Sequence, residues 1–181
     1  MNVIDEYKNL EVDEIKSRMT NNGFIVAMTH IEGDFNFGNV VRSANAFGAE
    51  EVWYIGGKKK WDKRSAVGTY NYTKLRHFKT TEEFIDEIYS NTTLFPYAFD
   101  NNVNYTSITL HEVCFFAYKP LLIFGEEQNG IPDDVLSAVW DTSGMIVTIP
   151  QYGTVRSLNV ATAAGIAMYD CVEKRRKNGK I

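Results

Sequence analysis

Along the chain, short apolar runs alternate with stretches in which apolar residues recur every three or four positions, the pattern of strands interleaved with amphipathic helices. The spacing predicts a first helix from Val12 to Met19, stopped by Asn21-Asn22-Gly23, and then a strand from Phe24 to Thr29. Val41, Ala44 and Phe47 fall on one face of a helix over Gly38 to Phe47; Asn36 is placed to cap it and Gly48 to end it. Glu51 to Ile55 reads as a strand closed by Gly56-Gly57. Thr80-Thr81-Glu82-Glu83 opens a helix over Thr81 to Tyr89 as a capping box does. Thr93 to Phe99 reads as a strand interrupted at Pro96, and Leu121 to Phe124 as a wholly apolar strand running into the turn Gly125 to Gly130. Pro132 suits the first position of a helix ending near Trp140. Met145 to Ile149 is the last strand, and Ser157 to Lys177 an Ala-rich final helix whose cations come late.

Strands alternating with helices predict an α/β domain with a mainly parallel sheet flanked by helices, whose ligands bind beyond the carboxyl ends of the strands. There is no repeat or Pro/Ser-rich linker, so residues 1–181 are expected to form one domain, with 1–22 a helical extension and 173–181 a basic tail. The first residues lack the basic start and apolar run of a signal peptide, and no apolar segment approaches the roughly 20 residues that span a bilayer. Cys114 and Cys171 lie far apart without a CxxC partner and read as two buried, reduced thiols; together these features point to the cytoplasm and away from a membrane.

Charge changes the picture more than composition does. The net charge of −4 argues against a nucleic-acid partner, but 13 of the 19 Lys and Arg residues fall in two short stretches that hold 2 of the 23 acids. One runs from Gly56 to Lys79 and includes Lys58, Lys59, Lys60, Lys63 and Arg64; the other is the tail from Glu173. Such polarisation collects a polyanion on one side of an acidic molecule. Trp61, Tyr70, Tyr72, His77 and Phe78 are interleaved with the first stretch and are expected to stack on unpaired bases. RNA is therefore the expected partner, while a solvated loop and a dipole-compensating helix end remain the plainer explanation of each stretch.

Several chemistries drop out. The chain has no G-x-G-x-x-G turn, no P-loop and no G-x-S-x-G elbow. His30, His77 and His111 are dispersed with no Cys/His cluster, so no metal site is expected. Glu126-Glu127 resembles a paired-carboxylate device, yet adjacent residues on an extended turn point in different directions. Three polar segments remain. In the first, Asn36 stands six before Arg42, an arginine set among apolar and small residues that either snorkels, pairs with an acid, or serves a site. The second is Phe124-Gly125-Glu126-Glu127-Gln128-Asn129-Gly130-Ile131-Pro132. The third, from Ile149-Pro150 through Gly153 to Ser157-Leu158-Asn159-Val160-Ala161, offers two residues, Ser157 and Asn159, where one helix cap suffices.

In this order and spacing the three segments resemble the SpoU family of RNA ribose 2′-O-methyltransferases, within the SPOUT superfamily, over about Phe24 to Arg176. The resemblance implies a deep C-terminal trefoil knot, an exception to the rule that folds are unknotted. It implies S-adenosyl-L-methionine bound by the knot near Phe99, Gly125, Ile149 and Leu158, and a homodimer in which each site is completed by the partner. Asn36, Arg42, Glu127, Ser157 and Asn159 match the family's catalytic or substrate-positioning residues. Compact relatives make tRNA the favoured substrate over rRNA. Two alternatives stay open: a non-catalytic RNA-binding module of the same fold, and methylation of a base nitrogen, which Ser157-Leu158-Asn159 disfavours.

Overall fold

The structure is a computed structural model that describes residues 3–30, 34–56, 61, 63–101, 104–115, 119–126 and 129–181. Among the described residues seven strands form one sheet: β1 (Ile25–Thr29), β2 (Glu51–Ile55), β3 (Leu75–Phe78), β4 (Leu94–Phe99), β5 (Ile108–Thr109), β6 (Lys119–Phe124) and β7 (Met145–Thr148). Their order across the sheet is β3-β2-β1-β6-β4-β7-β5, and every ladder is parallel. Helices α1 (Val12–Arg18), α2 (Asp34–Ala46), α3 (Thr81–Ser90), α4 (Asp133–Asp141) and α5 (Val160–Lys177) complete the chain.

The strand alternation assigns the two faces. Val26 and Met28 of β1 point into a core shared with Val40, Val41 and Ala44 of α2 and with Ala164, Ala167 and Met168 of α5. Ile25 and Ala27 point the other way, onto Phe84 and Ile88 of α3 and Val135, Leu136 and Val139 of α4. Because both faces are covered, β1, β2 and the apolar part of β6 are buried throughout, which is why their sequences are continuous apolar runs. Burial also pushes the Cys171 thiol, on the inner face of α5, up to about 12.

Several details differ from the sequence pattern. α2 begins at Asp34 instead of Gly38, so Asn36 lies within the helix and does not cap it. The fully buried Phe37 extends the stripe of Val40, Val41 and Ala44 back by one turn. Pro132 occupies the N-cap of α4, one position ahead of the expected one. β4 runs unbroken through Pro96, although it is an interior strand. The Pro96 carbonyl faces Gly144, where a Cβ would lie 2.6 Å from it, and the ladder to β7 starts only at Tyr97. The missing N–H therefore falls on a side where no strand is yet paired.

The largest correction concerns the basic, aromatic stretch. Part of it is β3, an edge strand, and Trp61, Tyr72 and Phe78 are buried, so they are core and not stacking platforms. Trp61 packs edge-on against Phe37 at 4.8 Å between ring centroids. His77 stacks on Tyr54 at 4.5 Å and its Nε2 lies 3.1 Å from the Gly56 carbonyl. Lys74 pairs with Glu51, and Arg76 with Glu87 at 2.5 Å while lying over the Trp53 and Phe78 rings. Cys114, expected to be buried, is exposed.

Candidate active site

Beyond the carboxyl ends of β4, β6 and β7 lies a cleft of about 190 Å³. Phe99, Gly125, Ile149 and Leu158, four residues far apart in sequence, all line it. Phe99 and Phe124, the last residues of neighbouring strands, stack at 4.8 Å with their planes 14° apart and make a flat apolar wall. Val147, Val160 and Ala163 extend that wall, and Asp100, Glu126, Gln151 and Arg156 supply its polar part.

The turn after β6 is held shut by its own backbone. Glu126 and Gly130 exchange two main-chain hydrogen bonds of 3.2 and 3.1 Å, and Asn129 donates to the Glu126 carboxylate. A Cβ on Gly125 would lie 2.1 Å from the Gly130 carbonyl carbon, so only glycine permits this closure. Gly130 has φ +69, and a Cβ there would press to 2.8 Å on the Asp100 carboxylate. Asp100 in turn accepts from the Ile131 N–H at 2.9 Å, which ties the turn to the end of β4. The two glycines of the sequence motif thus serve the geometry of the turn.

Asn159 resolves the choice of cap for α5. Its Oδ1 accepts from the N–H groups of Ala161 at 3.0 Å and Thr162 at 3.3 Å. Its Nδ2 donates to Asn36 Oδ1 at 2.9 Å, so one side chain caps α5 and clasps α2. Ser157 is left without a capping role; it lies exposed in the cleft wall, and no hydrogen bond engages its hydroxyl among the described residues. Asn36, Ser157 and Asn159 are therefore grouped at the start of α5.

Arg42 is placed elsewhere. It is exposed on α2 and lines a separate depression of about 390 Å³ with Tyr7, Met19, Asn45, Tyr72 and Arg176. Among the described residues no acid pairs with it. Glu127 and Lys58, Lys59 and Lys60 lie outside the described residues. Lys63 and Arg64 are exposed, each over an aromatic ring: Lys63 over Tyr70 at 4.5 Å and Arg64 over Phe35 at 5.7 Å.

Asp100, Gln151 and Arg156 are cleft residues that the sequence pattern did not single out. Asp100 had a signal, since it directly follows an apolar strand in a parallel sheet, where ligand sites gather. Gln151 and Arg156 lie between Pro150 and Ser157 with no spacing or strand-end pattern to mark them. Among the described residues no group of three His, Cys, Asp or Glu side chains is arranged to hold a metal ion, and no helix is long and apolar enough to cross a membrane.

A family model described as the SpoU rRNA Methylase family matches residues 23–169. The tRNA (guanosine(18)-2′-O)-methyltransferase of Escherichia coli strain K12 is 22% identical over 158 residues, which cover 85% of this chain and 65% of that protein; the chain thus spans just under two thirds of this relative. A crystal structure of an AdoMet-bound rRNA methyltransferase from Sinorhizobium meliloti superposes with a TM-score of 0.76 at 23% identity, covering 88% of this chain and 58% of that one. A structure described by the 2-OH methylation of C/U34 on tRNA gives a TM-score of 0.72 at 26% identity, covering 85% of this chain and 97% of that one. The parallel seven-stranded sheet with helices on both faces is the fold these neighbours share.

Proposed function

Because the chain belongs to the SpoU methylase family, we propose that it is an S-adenosyl-L-methionine-dependent RNA methyltransferase that acts on a ribose 2′-OH of tRNA in the cytoplasm. One observation carries the reading: Phe99, Gly125, Ile149 and Leu158 meet in a single cleft that Ser157 also lines, two residues before Asn159 and its bond to Asn36. The names of the E. coli relative and of the C/U34 structure support tRNA over rRNA.

The cleft residues fit the cofactor by chemistry. The stacked Phe99 and Phe124 rings, with Ile149 and Leu158, suit a flat heterocycle, while Asp100, Glu126 and Arg156 suit a zwitterionic amino-acid end. The AdoMet-bound neighbour of the same fold supports this assignment. When bound, S-adenosyl-L-methionine supplies an electrophilic sulfonium methyl group. What this chain must do is align the ribose hydroxyl in line with that methyl and stabilise the charge that develops on its oxygen.

We assign the alignment to Ser157, with its unengaged hydroxyl, and to Asn159, held in place by Asn36 and by the helix it caps. Arg42 is unsuited to be a base, since guanidinium keeps its proton until pH exceeds ~12. Its role is to bind the adjacent phosphate and stabilise the developing alkoxide, with Glu127 holding Arg42 or a neighbouring amide. Capture of the RNA falls to Lys58, Lys59, Lys60, Lys63 and Arg64.

The separation of Arg42 from the cleft supports a homodimer in which Arg42 reaches the partner's cofactor. Ile166 and Tyr169, 39% and 57% exposed, form an outer stripe on α5 beside Phe47 that a second copy would cover. The insertion of β7 between β4 and β5, two strands made earlier, supports a trefoil knot in the C-terminal segment.

The test is to incubate unmodified tRNA with the protein and cofactor labelled in its methyl group, then map the label in nuclease-digested RNA. Label on a ribose 2′ oxygen is expected. Label on a base nitrogen, or cofactor binding with no transfer to any RNA, would sink the proposal.

A further inference from the structure

The sealed polar atoms of the protein include one at the cleft that has no partner. Gln151 lies two residues past Ile149, beyond the carboxyl end of β7, and forms part of the cleft wall. Its Oε1 is closed off from solvent, yet no donor among the described residues reaches it. Buried acceptors are ordinarily paired, and one left unpaired calls for a reason. Of the sealed side-chain atoms that lack a hydrogen-bond partner, Gln151 Oε1 is the one whose residue walls the cleft.

We propose that Gln151 reads the adenine edge of the cofactor, a reading that rests on the function proposed above. A carboxamide carries an acceptor and a donor side by side, and adenine presents the complement on its N6/N7 edge, an amine beside an acceptor nitrogen, where hypoxanthine presents two acceptors. Glutamine pairs with adenine in this two-bond fashion in nucleic-acid recognition. The other polar groups of the cleft are assigned by charge: Asp100 and Glu126 suit an ammonium, and Arg156 a carboxylate. The neutral amide is left for the neutral base, on the same wall as the flat Phe99–Phe124 pair. On binding, the side chain would rotate to bring Oε1 from its sealed position to the cleft, where the adenine amine supplies the missing donor and the unpaired acceptor of the free protein becomes binding selectivity.

The experiment compares the full-length wild type with Gln151→Leu, which keeps the bulk and removes both polar atoms. Two probes are titrated by calorimetry: S-adenosylhomocysteine and S-inosylhomocysteine, whose carbonyl replaces the amine and would face Oε1 acceptor to acceptor. Wild type is expected to favour the adenine form roughly tenfold or more, the scale of one to two neutral hydrogen bonds. Gln151→Leu is expected to lose about tenfold in affinity for S-adenosylhomocysteine and nearly all discrimination between the probes. Its melting temperature without ligand should hold or rise, because an unpaired buried acceptor has gone. Retained discrimination in Gln151→Leu overturns the inference and leaves the methyltransferase reading standing. So does a lower melting temperature with equal losses for both probes, the mark of a merely structural residue. If wild-type protein binds neither probe, both readings fall.

Discussion

Asn159 serves two purposes with one side chain, and two substitutions separate them. Asn159→Ala removes the Oδ1 that caps Ala161 and Thr162 and the Nδ2 that holds Asn36. Loss of a helix cap costs about 1 kcal/mol, and loss of a partly exposed neutral hydrogen bond about another 0.5. For a chain of this length each kcal/mol moves the melting temperature by roughly 2–4 °C, so Asn159→Ala should melt about 3–6 °C early. Asn159→Asp behaves differently. Aspartate caps as well as asparagine and places its charge at the positive end of α5. Asn36 can turn its amide to donate in the reverse sense, which keeps the clasp. Stability should then stay within about 1–2 °C of wild type. Methyl transfer should not survive so well, because an anion now stands where the RNA phosphate and the developing alkoxide must approach. A fall of roughly 10–100-fold in kcat/KM is expected, that is about 1.4–2.7 kcal/mol of transition-state stabilisation. Calorimetric melting of the ligand-free protein and initial rates with labelled cofactor and tRNA measure the two effects independently. If Asn159→Asp melts as early as Asn159→Ala, capping is not what the residue contributes; if it turns over like wild type, Asn159 has no part in the site.

Other consequences are simpler to check. Trp61→Ala should lower stability by about 3–5 kcal/mol in urea unfolding, since the ring is 92% buried against Phe37 and Tyr70, while KM for RNA in the folded fraction stays put; a raised KM with unchanged stability would restore the stacking role. In the native protein a thiol reagent should label Cys114 quickly and Cys171 only on unfolding, because burial closes off Cys171 and pushes its thiol up to about 12. The Arg76 hydrogen bond holds the Glu87 carboxyl below its ordinary value, so its contribution to stability is present above about pH 4.5 and is lost as pH falls through the lowered value; Glu87→Gln should flatten the acid limb of the stability–pH curve, and an unaltered limb would count against the pair. Arg42→Ala and Ser157→Ala should each be nearly inactive alone, yet co-expressed chains should recover about a quarter of wild-type activity, since half the dimers are mixed and each mixed dimer has one intact site; no recovery would place Arg42 and Ser157 in the same chain's site.

The elements that could be read from sequence are those whose burial is symmetrical. β1, β2 and β6 are covered on both faces, so their runs are apolar without interruption and few other structures suit them. β3 escaped notice because it is an edge: Arg76 and His77 stand side by side between Leu75 and Phe78, and a charged, half-exposed strand looks like a charged loop. β5, with two residues, is too short to carry a period. The basic stretch misled for a related reason. Charge and aromaticity are visible in composition, but whether Trp61 faces water or Phe37, and whether Lys74 meets RNA or Glu51, depends on strands that pair across distant sequence. Asn36 was misplaced for want of one buried residue: counting Phe37 into the stripe starts α2 a turn earlier.

The site divides in the same way. The turn from Gly125 to Gly130 was readable because its main constraint is local: a side chain at Gly125 would strike the backbone of Gly130, five residues on. The gathering of Phe99, Gly125, Ile149 and Leu158 needed the family resemblance, and the bond between Asn36 and Asn159 was not read at all, because residues brought together by the fold leave no spacing rule in the chain. No resemblance in sequence order shows which chain a residue serves. Arg42 and Ser157 stand in motifs that read as one constellation, yet Arg42 opens onto the depression beside Arg176 and Ser157 onto the cleft beside Gly125. On the function proposed above, Arg42 would complete a reaction centre only if it were lent to another copy, because it and Ser157 line different depressions of one chain. The exposed Ile166 and Tyr169 stripe on α5, the helix packed directly on α2, is the face on which the proposed second copy would reach both.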